Sequence, residues 1–203
     1  MKRLLMLLAL LPCLGARADG VFKAFTKKVG ESTVSFSFKY STRTDVPITG
    51  TGSVSVAGDA FLMETAGLQV RCDSRVRWTF DTVAKEVLIE SVEGPKDFAG
   101  NPALLVSNAG EAFSVVSTGQ SKFKDKVVHA VVLSPGDQTR GIDKATLYFN
   151  SKDELIGASI VASDGTVTDF EISSLRFSAK AEPSSFRPAE GISDGSWVVT
   201  DLR

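Results

Sequence analysis

The sequence predicts a mainly β domain of about eleven antiparallel strands with two short helices. Three observations predict it. Apolar and polar residues alternate at period two through most of the chain. The alternating stretches are short and end at turn pairs such as Gly58-Asp59, Ala66-Gly67 and Asp164-Gly165. Only two segments break the rhythm, and both carry helical patterns. So many antiparallel strands in one domain curl into a barrel or fold into two sheets.

The first helix comes from Val21, Phe22, Phe25 and Val29, which recur at helical spacing with Lys23, Lys27 and Lys28 opposite; Gly30 ends it. Alternation then takes over. Phe36, Phe38 and Tyr40 share one parity against Ser35, Ser37 and Lys39. Val54 and Val56 follow, then Phe61 with Met63, then Val76, Trp78 and Phe80, then Val87 and Ile89. This reads as a meander. The second helix is expected over residues 101–110. Asn101 suits the N-cap, Pro102 the first helical position and Gly110 the residue after the end, around the apolar run Ala103 to Val106. Strands resume over 112–118, 126–133, 144–149, 154–162 and 167–178. Asp164-Gly165 is a hairpin signal. Residues 180–196 read as loop, and Trp197-Val198-Val199 as a last strand. Between Val127 and Leu133 both strand faces are largely apolar, so both are expected to be covered. A curved sheet needs a cover on its concave side, and the two helices are the local candidates.

The chemistry-bearing residues are few. The chain has 203 residues, one histidine, two cysteines and a formal net charge of −1. Its lysines are scattered, which argues against nucleic acid. His129 lies inside an apolar strand and reads as a satisfied core or edge residue, so no metal site and no cofactor are expected. No phosphate-cradling glycine loop precedes a helix. Asp169 and Glu171 share a strand face and read as a solvated pair. No carboxylate pair is singled out, so no catalytic residue is assigned and an enzyme is not expected. Thirteen phenylalanines and two tryptophans dominate instead. They read as a β core or as the wall of an apolar cavity.

The N-terminus reads as a secretory signal peptide over residues 1–18. Lys2 and Arg3 precede the apolar run Leu4 to Leu14, and Ala16-Arg17-Ala18 offers a cleavage site after Ala18. The run falls short of the ~20 apolar residues that span a bilayer. Pro12 before Cys13 is wrong for lipidation, so a soluble domain of residues 19–203 is expected. Loss of Cys13 leaves Cys72 alone, which rules out an intramolecular disulfide in the exported form. Export without disulfides fits a bacterial periplasm.

The order of parts resembles the periplasmic outer-membrane lipoprotein carrier proteins, the LolA and LolA-like family, over nearly the whole mature chain. An amphipathic helix leads into Val34-Ser35-Phe36-Ser37-Phe38. A glycine-bounded strand pair follows, from Gly50 to Val54 and from Ala57 to Phe61. The segment Asp73-Ser74-Arg75-Val76-Arg77-Trp78-Thr79-Phe80-Asp81 is similar to the family's DGxxxWxY hairpin, with Ser74 in place of its glycine. Asn101 to Leu105 looks like the lid helix, and Val198 to Arg203 like the closing strand. The arginine that ties the lid in the best-known carriers is absent from Ala57-Gly58-Asp59-Ala60.

The resemblance implies a strongly curved, incomplete antiparallel β-barrel with short helices capping its open mouth. It implies a periplasmic chaperone that binds the acyl chains of lipoproteins and carries them from the inner to the outer membrane. The partners would be acylated outer-membrane lipoproteins, an inner-membrane ABC transporter and an outer-membrane acceptor. The expected acyl-chain cavity is Phe36, Phe38, Phe61, Met63, Trp78, Phe80 and Ile89, each at period two on neighbouring strands. The expected lid is Phe22, Phe25, Leu104 and Leu105. The alternatives are a lipid-binding or lipoprotein-sensing module of the same fold, and a cell-envelope enzyme.

Overall fold

The computed structural model describes residues 14–93, 96–98, 101–137, 139–189 and 195–203. The first thirteen residues of the predicted signal lie outside this range. A helix, α1 (Leu14–Gly30), opens the described chain and runs through the predicted cut after Ala18. Six strands follow as a meander: β1 (Ser32–Thr42), β2 (Thr49–Ala57), β3 (Ala60–Thr65), β4 (Leu68–Asp73), β5 (Val76–Asp81) and β6 (Glu86–Ser91). The two-residue β7 (Lys96–Asp97) precedes α2 (Pro102–Asn108). Then come β8 (Phe113–Phe123), β9 (Lys126–Pro135), the two-residue β10 (Thr139–Arg140), β11 (Ile142–Phe149), β12 (Leu155–Ala162) and β13 (Val167–Ala179). A 3-10 turn at Pro183–Phe186 and β14 (Val198–Asp201) end the chain.

Twelve strands form one sheet in the order β14-β6-β5-β4-β3-β2-β1-β13-β12-β11-β9-β8, and β7 pairs with β10 in parallel beside it. The β14–β6 pair is parallel and the other pairs in the large sheet are antiparallel. β14 and β8 end the sheet without joining each other, so the barrel is incomplete, as expected. The strand total exceeds the expected eleven. β4 lies between the turn pairs Ala66-Gly67 and Asp73-Ser74, although Leu68–Asp73 mixes apolar and polar residues without a clean period.

The curvature follows from what α1 touches. β1 and β8 are five strand steps apart, which is about 24 Å along a flat sheet. A helix is only about 10–12 Å across. Yet α1 contacts β1, β9 and β8 as well as α2. The sheet therefore wraps around the helix. The apolar stripe of α1 makes this favourable: Val21, Phe22, Phe25 and Val29 are all buried against the sheet. Each such side chain contributes about 1.5–3 kcal/mol on burial.

Two of the four register shifts in the large sheet adjust the wall beside α1. In β13 the pairing with β1 shifts between Ser35 and Ser37, with Ser174 at φ 56°. In β12 the pairing with β11 shifts between Tyr148 and Phe149. These bulges re-aim the residues beyond them, so Leu155 and Phe177 face the same side as Phe170 and Ile172. The β9 expectation holds on both faces from Val128 to Leu133, whereas Val127 is exposed. Val131 and Leu133 enter the main core, while Val128 and Ala130 pack outside with Phe123 and Tyr148.

Candidate ligand-binding site

The concave face and the two helices share one apolar core. Phe36, Phe38 and Phe61 are buried in it together with Phe22, Phe25 and Leu105, and Met63 and Leu104 are half-buried against the same cluster. α2 is placed by its ends. The Asn101 side chain accepts hydrogen bonds from the Ala103 and Leu104 amides at 3.1 and 3.2 Å, and Pro102 begins the helix. Gly110 serves differently from the expected left-handed cap. The helix ends at Ala109 in right-handed conformation, and a Cβ at Gly110 would lie 3.0 Å from the Thr26 Cβ. The glycine allows α1 and α2 to approach.

The register corrects the expected cavity wall. Directly paired residues of antiparallel strands point to the same face. Val54 pairs with Met63, Met63 with Val70, and Val70 with Thr79; Phe61 pairs with Cys72, and Cys72 with Arg77. Thr79 and Arg77 therefore share the concave face, and Trp78 and Phe80 take the opposite one. Ile89 pairs with Trp78 and follows it outward. Trp78, Phe80, Val87 and Ile89 form a separate cluster packed against Trp197. Phe80 meets the Trp197 ring edge-on at 5.4 Å, and Lys85 lies over the same ring at 5.0 Å. The expected seven-residue wall is thus split: Phe36, Phe38, Phe61 and Met63 face the helices, while Trp78, Phe80 and Ile89 face away.

The open space lies elsewhere. A cleft of about 840 Å³ runs along α1, walled by Val21, Ala24 and Phe25 on the helix side and by Leu155, Ile172 and Phe177 on the sheet side. Its rim carries Lys28, Lys152, Asp153 and Glu154. The Lys28 ammonium sits 4.0 Å from the Phe177 ring centre, a cation–π contact between helix and sheet. Phe25 meets Phe149 and Phe177 edge-on at 5.4 and 6.5 Å. These sheet residues were not among the sequence candidates. The signal is present, however: the apolar parity of β13 runs Phe170, Ile172 and then Leu175, Phe177. That slip of one residue marks the bulge.

Two buried carboxylates, Asp169 and Asp73, sit on the outer face. Asp169 was expected in a solvated pair, but it is buried. Arg43 binds both its oxygens at 2.8 and 2.7 Å, and the Ser159 hydroxyl donates to it at 2.5 Å. Burial alone would raise its pKa; Arg43 and Ser159 more than offset that and hold the carboxyl below its usual value. Asp73 is similar. Burial opposes ionisation, but the Val76 amide, the Arg187 guanidinium and the Arg75 amide keep its pKa low. Arg187 reaches it at 2.6 Å from the end of the 3-10 turn, where Phe186 packs on Ala57 and Ala60. Cys72 lies buried on the concave side, and burial pushes its thiol pKa up, which disfavours the reactive thiolate. His129 is half-buried on β9, opposite Phe149. Among the described residues no cluster of acids, histidines and cysteines could hold a metal ion, and no helix is long and apolar enough to cross a membrane.

Fold and site together define a curled antiparallel sheet whose apolar concave face is closed by a helix pair, with an apolar cleft at the flank of one helix. No family model and no curated protein matches the sequence. Solved structures do match in fold. An uncharacterized conserved protein from Thermus thermophilus superposes with a TM-score of 0.53 at 11% identity, over 91% of this chain and 99% of that one. A LolA superfamily protein from Nitrosomonas europaea gives 0.48 at 10% identity, over 84% and 97%. A putative outer membrane lipoprotein-sorting protein domain from Vibrio parahaemolyticus gives 0.41 at 14%, over 85% and 96%.

Proposed function

We propose that this chain is an exported carrier that holds the acyl chains of lipoproteins between its curled sheet and its helix pair. It would take them from an inner-membrane ABC transporter and deliver them to the outer membrane, to an acceptor there. The observation that carries this reading is the cover of the concave face: two helices, one only seven residues long, plug an apolar trough of Phe36, Phe38 and Phe61. The sequence resemblance points the same way. A buried acyl chain gains about 0.8 kcal/mol per methylene. A carrier can match that and still release its load if the contacts it gives the acyl chain offset those of the bilayer at small net change. No nucleotide-binding motif is present in the sequence, so the energy for loading would come from the transporter.

The test is native purification from a periplasmic extract, followed by mass spectrometry of bound molecules and N-terminal sequencing. Acylated lipoproteins in stoichiometric amount, on a chain starting at or next to Asp19, are the expected result. A chain that begins at an acylated Cys13, or one that captures unacylated and acylated peptides equally, overturns the reading.

A further inference from the structure

We propose that one acyl chain of the cargo lies in the cleft between α1 and the β12–β13 wall, entered from the flank of α1, while the interior under α2 stays packed. The inference rests on the carrier reading and specifies which part of the site the lipid uses. The interior beneath α2 has no room as it stands. Ala103, Leu105 and Val106 are at most 1% exposed, and Phe36, Phe38 and Phe61 at most 3%. A chain could enter there only by expelling side chains that already fill the space at core density.

The α1 cleft is already formed. Its volume of about 840 Å³ falls within the range of roughly 300–1,000 Å³ typical of small-molecule sites. Its walls also leave apolar surface in water: Ala24 is exposed, and Leu175 and Phe177 are only half-buried. A core would have covered these side chains; a chain lying along them would complete their burial. The β13 bulge belongs to the same wall. Ser174, in a left-handed conformation that a serine adopts at a cost, lines the cleft beside Ser173, and the register slip aims Leu175 and Phe177 into it. The bulge is therefore the device that turns an ordinary strand into a lipid-facing wall. On α1, Gly20, Ala24 and Lys28 follow one another at one-turn spacing, which leaves a shallow track with its charged end at the rim. Lys28, Lys152, Asp153 and Glu154 keep that rim hydrated, so the apolar tail enters and the polar end stays outside.

The experiment uses the full exported chain and a palmitoylated peptide with a photoreactive diazirine in its acyl chain, alongside the same peptide without the acyl group. Adducts should map to residues 20–28 and 172–177. Ala24→Trp, at an exposed position that does not disturb the core, should weaken capture at least about tenfold with the β spectrum unchanged. Leu175→Gln should do so to a lesser degree. Val127→Gln, at an exposed position on β9 away from the cleft, should leave capture within about twofold. Adducts on α2 and β3, with Ala24→Trp binding like the parent, would overturn the cleft and leave the carrier reading standing. Absence of capture by the parent chain would overturn both.

Discussion

Two ends of the same sheet treat their large side chains in opposite ways. From β1 to β4, and again from β13 to β9, the apolar parity points inward to the helices. At β5 and β6 it points outward, and Trp197 beside β14 supplies the cover. The sheet does not break between β4 and β5: Val70 still pairs with Thr79 and Cys72 with Arg77, with no bulge. What changes is which parity of the strand is apolar. A period-two pattern therefore reports that a strand has a buried face and does not report which layer buries it.

The largest effect expected from this contrast is at the concave face. Phe38→Ala should cost about 3–5 kcal/mol in chemical denaturation, because the ring is 3% exposed and contacts Phe36, Tyr40 and Phe170. A loss below about 1 kcal/mol would mean the concave core is less closely packed than the contacts describe.

The outer-face pins come next. Asp169→Asn should cost about 1–3 kcal/mol at neutral pH, since Arg43 loses a bidentate partner that it holds from a half-exposed position. The acid dependence has a definite sign. Asp169 and Asp73 have lowered pKa values in the folded chain. Their stabilisation is present above the unfolded carboxyl value near 4 and is lost as pH falls below that, through the folded values. Asp169→Asn should therefore flatten the loss of stability as pH falls below about 4, read from urea midpoints. An unchanged acid slope would refute the pairing.

Trp197→Ala tests the other end alone. It should cost about 1–2 kcal/mol, red-shift Trp78 fluorescence and speed amide exchange in β14, while the exchange of β9 and β11 stays as before. A uniform loss of protection across the sheet would show that the outer cluster and the helix-covered core unfold as one unit. The smallest effect belongs to the β4–β5 hairpin. Ser74 has φ 75°, where a glycine is at ease, so Ser74→Gly should raise stability by about 0.5–1 kcal/mol. Destabilisation would mean that the serine side chain makes up for its strain.

Much of this architecture was legible because it depends on local rules. Asn101 and Pro102 announced α2, the α1 stripe announced its buried face, and Gly58, Gly67 and Gly165 stand at left-handed turn positions beside the expected turn signals. The resemblance added the open barrel. The site was only partly legible. Phe36, Phe38, Phe61 and Met63 fell on the helix-covered side because β1 to β3 meet through short hairpins. Trp78, Phe80 and Ile89 did not, because their cover, Trp197, lies more than a hundred residues away in sequence. Asp169 was misread for the same reason: its partner Arg43 is 126 residues away. Asp73 and Arg187, 114 residues apart, are another long-range pair that local spacing does not disclose. The C-terminal stretch expected as plain loop holds the 3-10 turn that brings Arg187 there.

The position of β1 has a consequence for how the chain reaches this form. β1 sits mid-sheet, with β2 on one side and β13 on the other, and Ser32 pairs with Ala179. A polypeptide that appears N-terminus first can complete the β1–β6 meander early, since every pairing in it is between sequence neighbours. The second edge of β1 then stays bare until nearly the whole chain has emerged. An unpaired strand carrying Phe36, Phe38 and Tyr40 is an adhesive surface during that interval. Joining it to β13 closes the longest loop in the sheet, a step that is slow by its sequence separation. Folding yield in this protein should therefore be decided at the β1–β13 seam, and a holdase that shields extended segments would act there.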